Sequence, residues 1–256
     1  MSEVLLEVAG LTKAFGGLYA VSDLSFSTVR GEIFGVIGPN GSGKTTLFNL
    51  ITGVFPATRG SVRFRGNEMS GLPTDAIARR GLVRTFQSAT VFKRESVYEN
   101  IRRGSMFGCI GNPAWFFRKG LVSAGAKKAS ATAEDLLEFS GLAEVAGTSA
   151  GNLPYGKQKM LGVAIALAQH PVQLLMDEPA AGLNPSETDA MGEFIAAIRS
   201  QRGIDVILVE HDIRMVTSVC DRILALNYGK AIAVDVPERI VAHPEVIETY
   251  LGADLE

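Results

Sequence analysis

Two hydrophobic rhythms divide the chain. Near its start the pattern alternates: Leu24, Phe26 and Thr28 are spaced by Ser25 and Ser27, and Leu5, Glu7 and Ala9 belong to a run of the same period. That period predicts half-buried antiparallel strands, and Val62 and Phe64 extend it to a turn at Gly66-Asn67. A second pattern interrupts it. Ile33-Phe34-Gly35-Val36-Ile37 is apolar without a break, as expected of a strand covered on both faces. Gln173-Leu174-Leu175-Met176 and Val206-Ile207-Leu208-Val209 are of the same kind, and each runs into acidic residues. Between them, Met191, Phe194, Ile195 and Ile198 fall at helical spacing within Pro185 to Arg202. Strand, helix and strand in that order predict a parallel sheet, so the fold class expected is α/β. Arg222 to Asp235 predicts a hairpin turning near Tyr228-Gly229-Lys230, and Pro237 and Pro244 each predict the start of a short helix.

Residues 88–168 differ in character. They are rich in Ala, Gly and Ser, with helical patches such as Ala133 to Phe139, and predict a helical insertion within the sheet. The organisation expected is one domain over 1–256. Residues 1–87 and 169–256 would form a core with an antiparallel β subdomain, and 88–168 a helical subdomain. A length of 256 residues and 46 % apolar content suit one large domain. The net charge of −2 gives no sign of a general nucleic-acid binder, which would usually be basic. The two cysteines, Cys109 and Cys220, make no disulfide framework or zinc spacing, and a reducing compartment is expected. Glu3 and Glu7 stand where a signal peptide would be basic, and the apolar run Met160 to Ala168 is too short for a bilayer. The chain therefore reads as soluble.

Gly38-Pro39-Asn40-Gly41-Ser42-Gly43-Lys44-Thr45 fills the phosphate-loop pattern G-x-x-x-x-G-K-[ST] at every required position. It follows a buried strand and precedes a helix expected from Thr45 to about Thr52, which includes Thr46. Glycines let backbone N–H groups face phosphates, and the helix N-terminus adds partial positive charge. Lys44 would hold the β- and γ-phosphates of a nucleotide and Thr45 a Mg²⁺ ion. A glycine-rich turn matching by chance is the alternative, and the flanking strand and helix weigh against it.

Asp177 and Glu178 follow a buried parallel strand, at the edge where open α/β sheets bind ligands. Asp177 is suited to orient Mg²⁺, and Glu178 to polarise an attacking water as general base. An acid pair capping the next helix is the plainer alternative. His211, in Val209-Glu210-His211-Asp212, ends the third strand. It either caps that edge or donates a hydrogen bond to a γ-phosphate.

This ordered set resembles the ABC ATPase family over nearly the whole chain. The resemblance implies a P-loop NTPase core, RecA-like, using ATP and Mg²⁺. It implies that Phe15 stacks on adenine, and that Gln87 in Arg84-Thr85-Phe86-Gln87 contacts Mg²⁺ and senses a transmembrane partner. It makes Leu153-Pro154-Tyr155-Gly156-Lys157 the signature loop, Ala181-Gly182-Leu183-Asn184 the loop crossing a dimer interface, and His211 the switch histidine. Finer likeness points to the importers of branched-chain amino acids. It rests on Phe15-Gly16-Gly17-Leu18, Arg84-Thr85-Phe86-Gln87, Glu99-Asn100-Ile101, the long segment between Asn100 and Glu134, Glu178-Pro179-Ala180-Ala181-Gly182-Leu183-Asn184-Pro185 and Tyr250-Leu251-Gly252. Urea, amides and aromatic acids are the cargo of related branches. The partners implied are a second ABC ATPase subunit, two transmembrane permease subunits and, indirectly, a periplasmic or extracellular solute-binding protein, with no nucleic acid. The place implied is the cytoplasmic face of the cell membrane, peripherally.

One departure stands out. The family signature is Leu-Ser-Gly-Gly-Gln, and here proline 154 replaces the serine that would meet the opposing subunit's γ-phosphate. Proline at a helix start keeps the loop's shape while removing one hydroxyl and one donor. Pro154, Tyr155, Gly156 and Lys157 then predict either a heterodimer with unequal ATP sites or a tolerated substitution. Pro113-Ala114-Trp115-Phe116-Phe117-Arg118-Lys119 is expected to pack inside the helical subdomain, with contact to a membrane surface as the alternative. The resemblance also implies that Phe92 and Tyr98 line a groove that receives the transmembrane partner.

Overall fold

The unbroken apolar strands serve two cores at once. In a computed structural model describing residues 3–85, 91–107 and 119–251, β3 (Ile33–Ile37) is buried at every position. Its odd residues Ile33 and Ile37 join one hydrophobic cluster, and its even residues Phe34 and Val36 join another. β7 (Gln173–Asp177) and β8 (Asp205–Val209) divide likewise: Leu174, Met176, Val206 and Leu208 face one core, Leu175, Ile207 and Val209 the other. A period of two along a strand with no polar face is what a sheet covered on both sides requires.

The sheet has six strands in the order β10-β9-β3-β8-β7-β6. Its new members are β6 (Leu82–Arg84), β9 (Arg222–Asn227) and β10 (Lys230–Asp235). All neighbours pair in parallel except β9 with β10, which form the expected hairpin. A separate antiparallel sheet, in the order β2-β1-β4-β5, holds β1 (Val4–Phe15), β2 (Leu18–Val29), β4 (Arg59–Phe64) and β5 (Asn67–Glu68). Its apolar face and α1 (Lys44–Ile51) close the second core, where Phe26 stacks on Phe34 with centroids 5.4 Å apart.

The other core lies under helices. They are α3 (Val97–Phe107), α4 (Lys119–Phe139), α5 (Tyr155–Leu167), α6 (Pro185–Arg202) and α7 (Ile213–Val219). α6 spans the residues predicted for it. Asn184 and Glu187 form a reciprocal capping box at its start and Gly203 closes it in the left-handed region. Two helices opened by proline, α8 (Pro237–Val241) and α9 (Pro244–Leu251), end the described chain. α2 (Thr74–Arg79) and β6 are short elements that the hydrophobic pattern did not announce. No helix among the described residues is long and apolar enough to cross a membrane.

Parallel pairing fixes where the chemistry gathers. Val36 of β3 and Asp177 of β7 both pair with Val209 of β8, so the phosphate loop, Glu178 and His211 leave from one edge.

Candidate active site

The phosphate loop is clamped from beneath. A Cβ on Gly38 would stand 2.4 Å from the carbonyl oxygen of Leu226, and one on Gly43, at φ 105°, 2.4 Å from that of Ala20. Only glycine admits so close a backbone approach. The β9–β10 turn fastens the loop further. The Gly229 amide donates to the Ser42 carbonyl at 2.9 Å, and the Ser22 amide to the Gly229 carbonyl at 2.8 Å. α1 begins at Lys44, one residue earlier than expected, because left-handed Gly43 already serves as its N-cap.

Lys44 is 5 % exposed, and its ammonium donates to the carbonyls of Gly38 at 2.6 Å and Pro39 at 2.9 Å. Burial pushes its pKa below the ordinary lysine value, while the carboxylates of Glu178 and Asp177 pull it back. The Ser42 hydroxyl, buried inside the loop, has no hydrogen-bond partner among the described residues. Such an orphan donor fits an anion. Thr45 is exposed in the first turn of α1, with Thr46 half-buried beside it. Asn40 and Gly41 form the exposed rim.

Asp177 ends β7 at 3 % exposure. Its carboxylate accepts from Arg84 Nη2 at 2.5 Å. Arg84 Nη1 donates to Asn49 on α1 at 2.6 Å, and the guanidinium lies 5.5 Å from the Phe48 ring centre. Sequence reasoning treated Arg84 only as part of a motif. Its partner is remote in the chain, so no local signal marks the pair.

Glu178 adopts a left-handed backbone, φ 49°, which is unusual for a residue with a side chain. Its amide donates to the Val209 carbonyl at 2.9 Å, and its carboxylate Oε1 lies 2.6 Å from His211 Nε2. With the carboxylate ionised, Nε2 must carry the proton that joins them. Glu210, 3 % exposed, accepts the Ala180 amide at 2.6 Å and the His211 amide at 3.0 Å. It ties the loop after β7 to that after β8, and burial pushes its pKa up.

Pro154 stands at the start of α5, as expected. It is the N-cap of α5, with ψ 150°, and not the first helical residue. The helix begins at Tyr155, and the Pro154 carbonyl accepts the first helical bond, from Gln158 at 3.0 Å. Proline in place of serine leaves this N-cap without a side-chain hydrogen bond. Tyr155 and Lys157 are exposed and Gly156 is buried. Phe15, 48 % exposed at the end of β1, meets Phe55 edge-on at 5.5 Å, with the Lys13 ammonium 5.0 Å from both rings. Gln87, Cys109 and the aromatic segment at Trp115 lie outside the described residues. Phe92 is 47 % exposed with the Arg103 guanidinium 5.3 Å from its ring centre, and Tyr98 is partly buried.

No group of three acidic, histidine or cysteine side chains among the described residues could hold a metal alone. The oxygens of Thr45 and Asp177 are nevertheless hard donors of the kind Mg²⁺ takes when nucleotide phosphates complete its shell.

A phosphate cradle between a buried strand and a helix, with carboxylates at the same sheet edge, defines a P-loop nucleotide hydrolase. The family profile described as "ABC transporter" matches residues 21–181. The branched-chain amino acid transport ATP-binding protein BraF of Pseudomonas aeruginosa is 42 % identical, over 98 % of this chain and 99 % of that one. LivG of Escherichia coli, named for the same transport, is 40 % identical over 98 % and 99 %. Among solved structures, the ADP conformation of an ATP-binding cassette of an ABC transporter has a TM-score of 0.85 at 30 % identity, covering 98 % of this chain and all of that one. The chain belongs to the ABC transporter ATP-binding family, whose members are ATPases.

Proposed function

We propose that the chain hydrolyses ATP, with Mg²⁺, to power uptake of branched-chain amino acids or a related small organic solute. It would work peripherally on the cytoplasmic face of the cell membrane. Its partners would be a second ABC ATPase subunit and two transmembrane permease subunits, fed by a solute-binding protein. The names of BraF and LivG support the cargo class. The departure at Pro154 supports a heterodimer in which the site holding this chain's Glu178 is the more active one. Residues 1–87 and 169–256 serve as the nucleotide core, and 88–168 as the helical part that carries the signature loop.

The observation that carries the reading is the contact between Glu178 and His211, 2.6 Å apart on the edge shared with the phosphate loop. The Gly38–Thr46 loop binds the phosphates, and Lys44 leaves its two carbonyl partners to meet the β- and γ-oxygens. Phe15 stacks on the adenine. Thr45, Asp177 and Gln87 would hold Mg²⁺, which when bound would neutralise charge developing on the phosphates. Glu178 takes the proton of the attacking water as its oxygen bonds to the γ-phosphorus and ADP leaves. The Nε2–H of His211 holds the Glu178 carboxylate towards that water, and the same hydrogen bond is available to the γ-phosphate. Residues Pro154 to Lys157 cap the nucleotide of the opposing subunit.

The testing substitution is Glu178→Gln, which keeps the shape of the side chain and removes its basicity. Steady-state hydrolysis should fall by at least about 100-fold while ATP binding persists. Retained turnover would refute the assigned role.

A further inference from the structure

The first turn of α5, which starts the signature helix, rests on the loop that follows β7. A Cβ on Gly182 would stand 3.2 Å from the Tyr155 ring, and one on Gly156 2.6 Å from Glu187 Oε1. One turn on, Lys159 is 5 % exposed, its ammonium 5.6 Å from the Tyr155 ring centre. That ammonium donates to the backbone carbonyl of Glu178 at 3.1 Å. The carbonyl belongs to the residue held in the left-handed region.

These contacts join parts with different duties. Resting on the dimer proposed above, Tyr155 to Lys157 face the partner's nucleotide, whereas Glu178 faces this subunit's own. We infer that Lys159 is a positioning residue that couples the two ATP sites: through the Glu178 carbonyl it sets the carboxylate of one site according to how the signature turn engages the other.

The physical basis is a charge-assisted hydrogen bond to a peptide in a strained conformation. The peptide after Glu178 keeps its orientation while a cation faces its oxygen. If α5 shifts, the ammonium shifts with it, and the peptide can relax and swing the side chain off the attacking water. The Tyr155 ring adds a second hold on the same cation, so that movement of the exposed tyrosine is felt at Lys159. A misplacement of about 1 Å at a catalytic group is enough to cost on the order of 100-fold in rate.

The test uses the full-length chain assembled with its second ATPase subunit and the two permease subunits, carrying Lys159→Met, which keeps the apolar stem, Lys159→Gln as a second neutral variant, or Lys159→Arg, which keeps the charge. Readouts are kcat, KM for ATP, the Hill coefficient, binding of a fluorescent ATP analogue and the melting temperature. Expected for both neutral variants is a kcat lowered roughly ten- to 100-fold with KM within about twofold. Their Hill coefficient should fall from above one towards one, with analogue binding unchanged, and Lys159→Arg should recover most of the rate. A Hill coefficient equal in wild type and both neutral variants overturns the inference. So does a rate loss that follows the melting temperature and is not recovered by arginine. Turnover lost in Glu178→Gln but intact in Lys159→Met overturns the coupling alone, whereas turnover retained in Glu178→Gln overturns both it and the hydrolytic reading.

Discussion

The guanidinium of Arg84 lies 2.5 Å from the carboxylate of Asp177, and both side chains are withdrawn from water, at 10 % and 4 % exposure. The pair joins the end of β6 to the end of β7, and through Asn49 to the helix after the phosphate loop. A cation therefore already faces the carboxylate proposed for Mg²⁺.

Removing one half of a buried pair leaves the other uncompensated. Arg84→Met should cost about 3–5 kcal/mol of stability, read as a lower midpoint of urea denaturation at unchanged slope. Arg84→Lys should recover little, because one ammonium cannot reach Asp177 and Asn49 with the planar fork of arginine.

Gly43 gives a sharper test of the clamp. Gly43→Ala puts a methyl 2.4 Å from the Ala20 carbonyl oxygen, at φ 105°. The loop must open, and nucleotide affinity should fall by at least about 100-fold in a fluorescence titration, with 1–3 kcal/mol of stability lost to strain. Gly41→Ala carries backbone strain too, at φ 82°, but should spare more of the affinity, since nothing lies within 4 Å of its added carbon.

His211→Ala should lower kcat about 100-fold with KM for ATP little changed, because the lost contact is to Glu178 and not to the loop. Stopped-flow binding separates the two constants.

Glu210 carries a pH signature. Burial raises its pKa above the ordinary 4.5; Glu178 adds to the rise, and the Ala180 and His211 amides and the His211 ring oppose it. A raised carboxyl binds its proton more tightly in the folded chain. Its contribution to stability is therefore full below pH 4.5 and is lost as pH rises through the folded value. Glu210→Gln should lack that slope in denaturation midpoints taken at successive pH values. It should also lower kcat, since one amide oxygen cannot accept both backbone N–H groups that the carboxylate holds.

Much of this was legible in the chain. β3, β7 and β8 announced themselves because a strand buried on both faces is a continuous apolar run, and the phosphate loop because its glycines have no cheaper substitute. α6 was bounded in advance by Pro185 and Arg202, the limits it takes in the structure. β6 and α2 escaped, with three and six residues too few to establish a period. The partners that tune the site escaped for another reason. Arg84 is separated from Asp177 by 93 positions and Lys159 from Glu178 by 19, distances over which no spacing rule operates.

The turn at Tyr228-Gly229 looks like a place to attach something. Tyr228 is 84 % exposed, and solvent-facing hairpin tips ordinarily accept insertions. This tip is spoken for: its glycine holds the Ser42 carbonyl on one side and the Ser22 amide on the other. An epitope tag or fluorophore spliced between Tyr228 and Lys230 would therefore act as a remote poison of nucleotide capture. A screen scoring growth alone would file residues 228–230 with the catalytic positions, although no side chain there does chemistry.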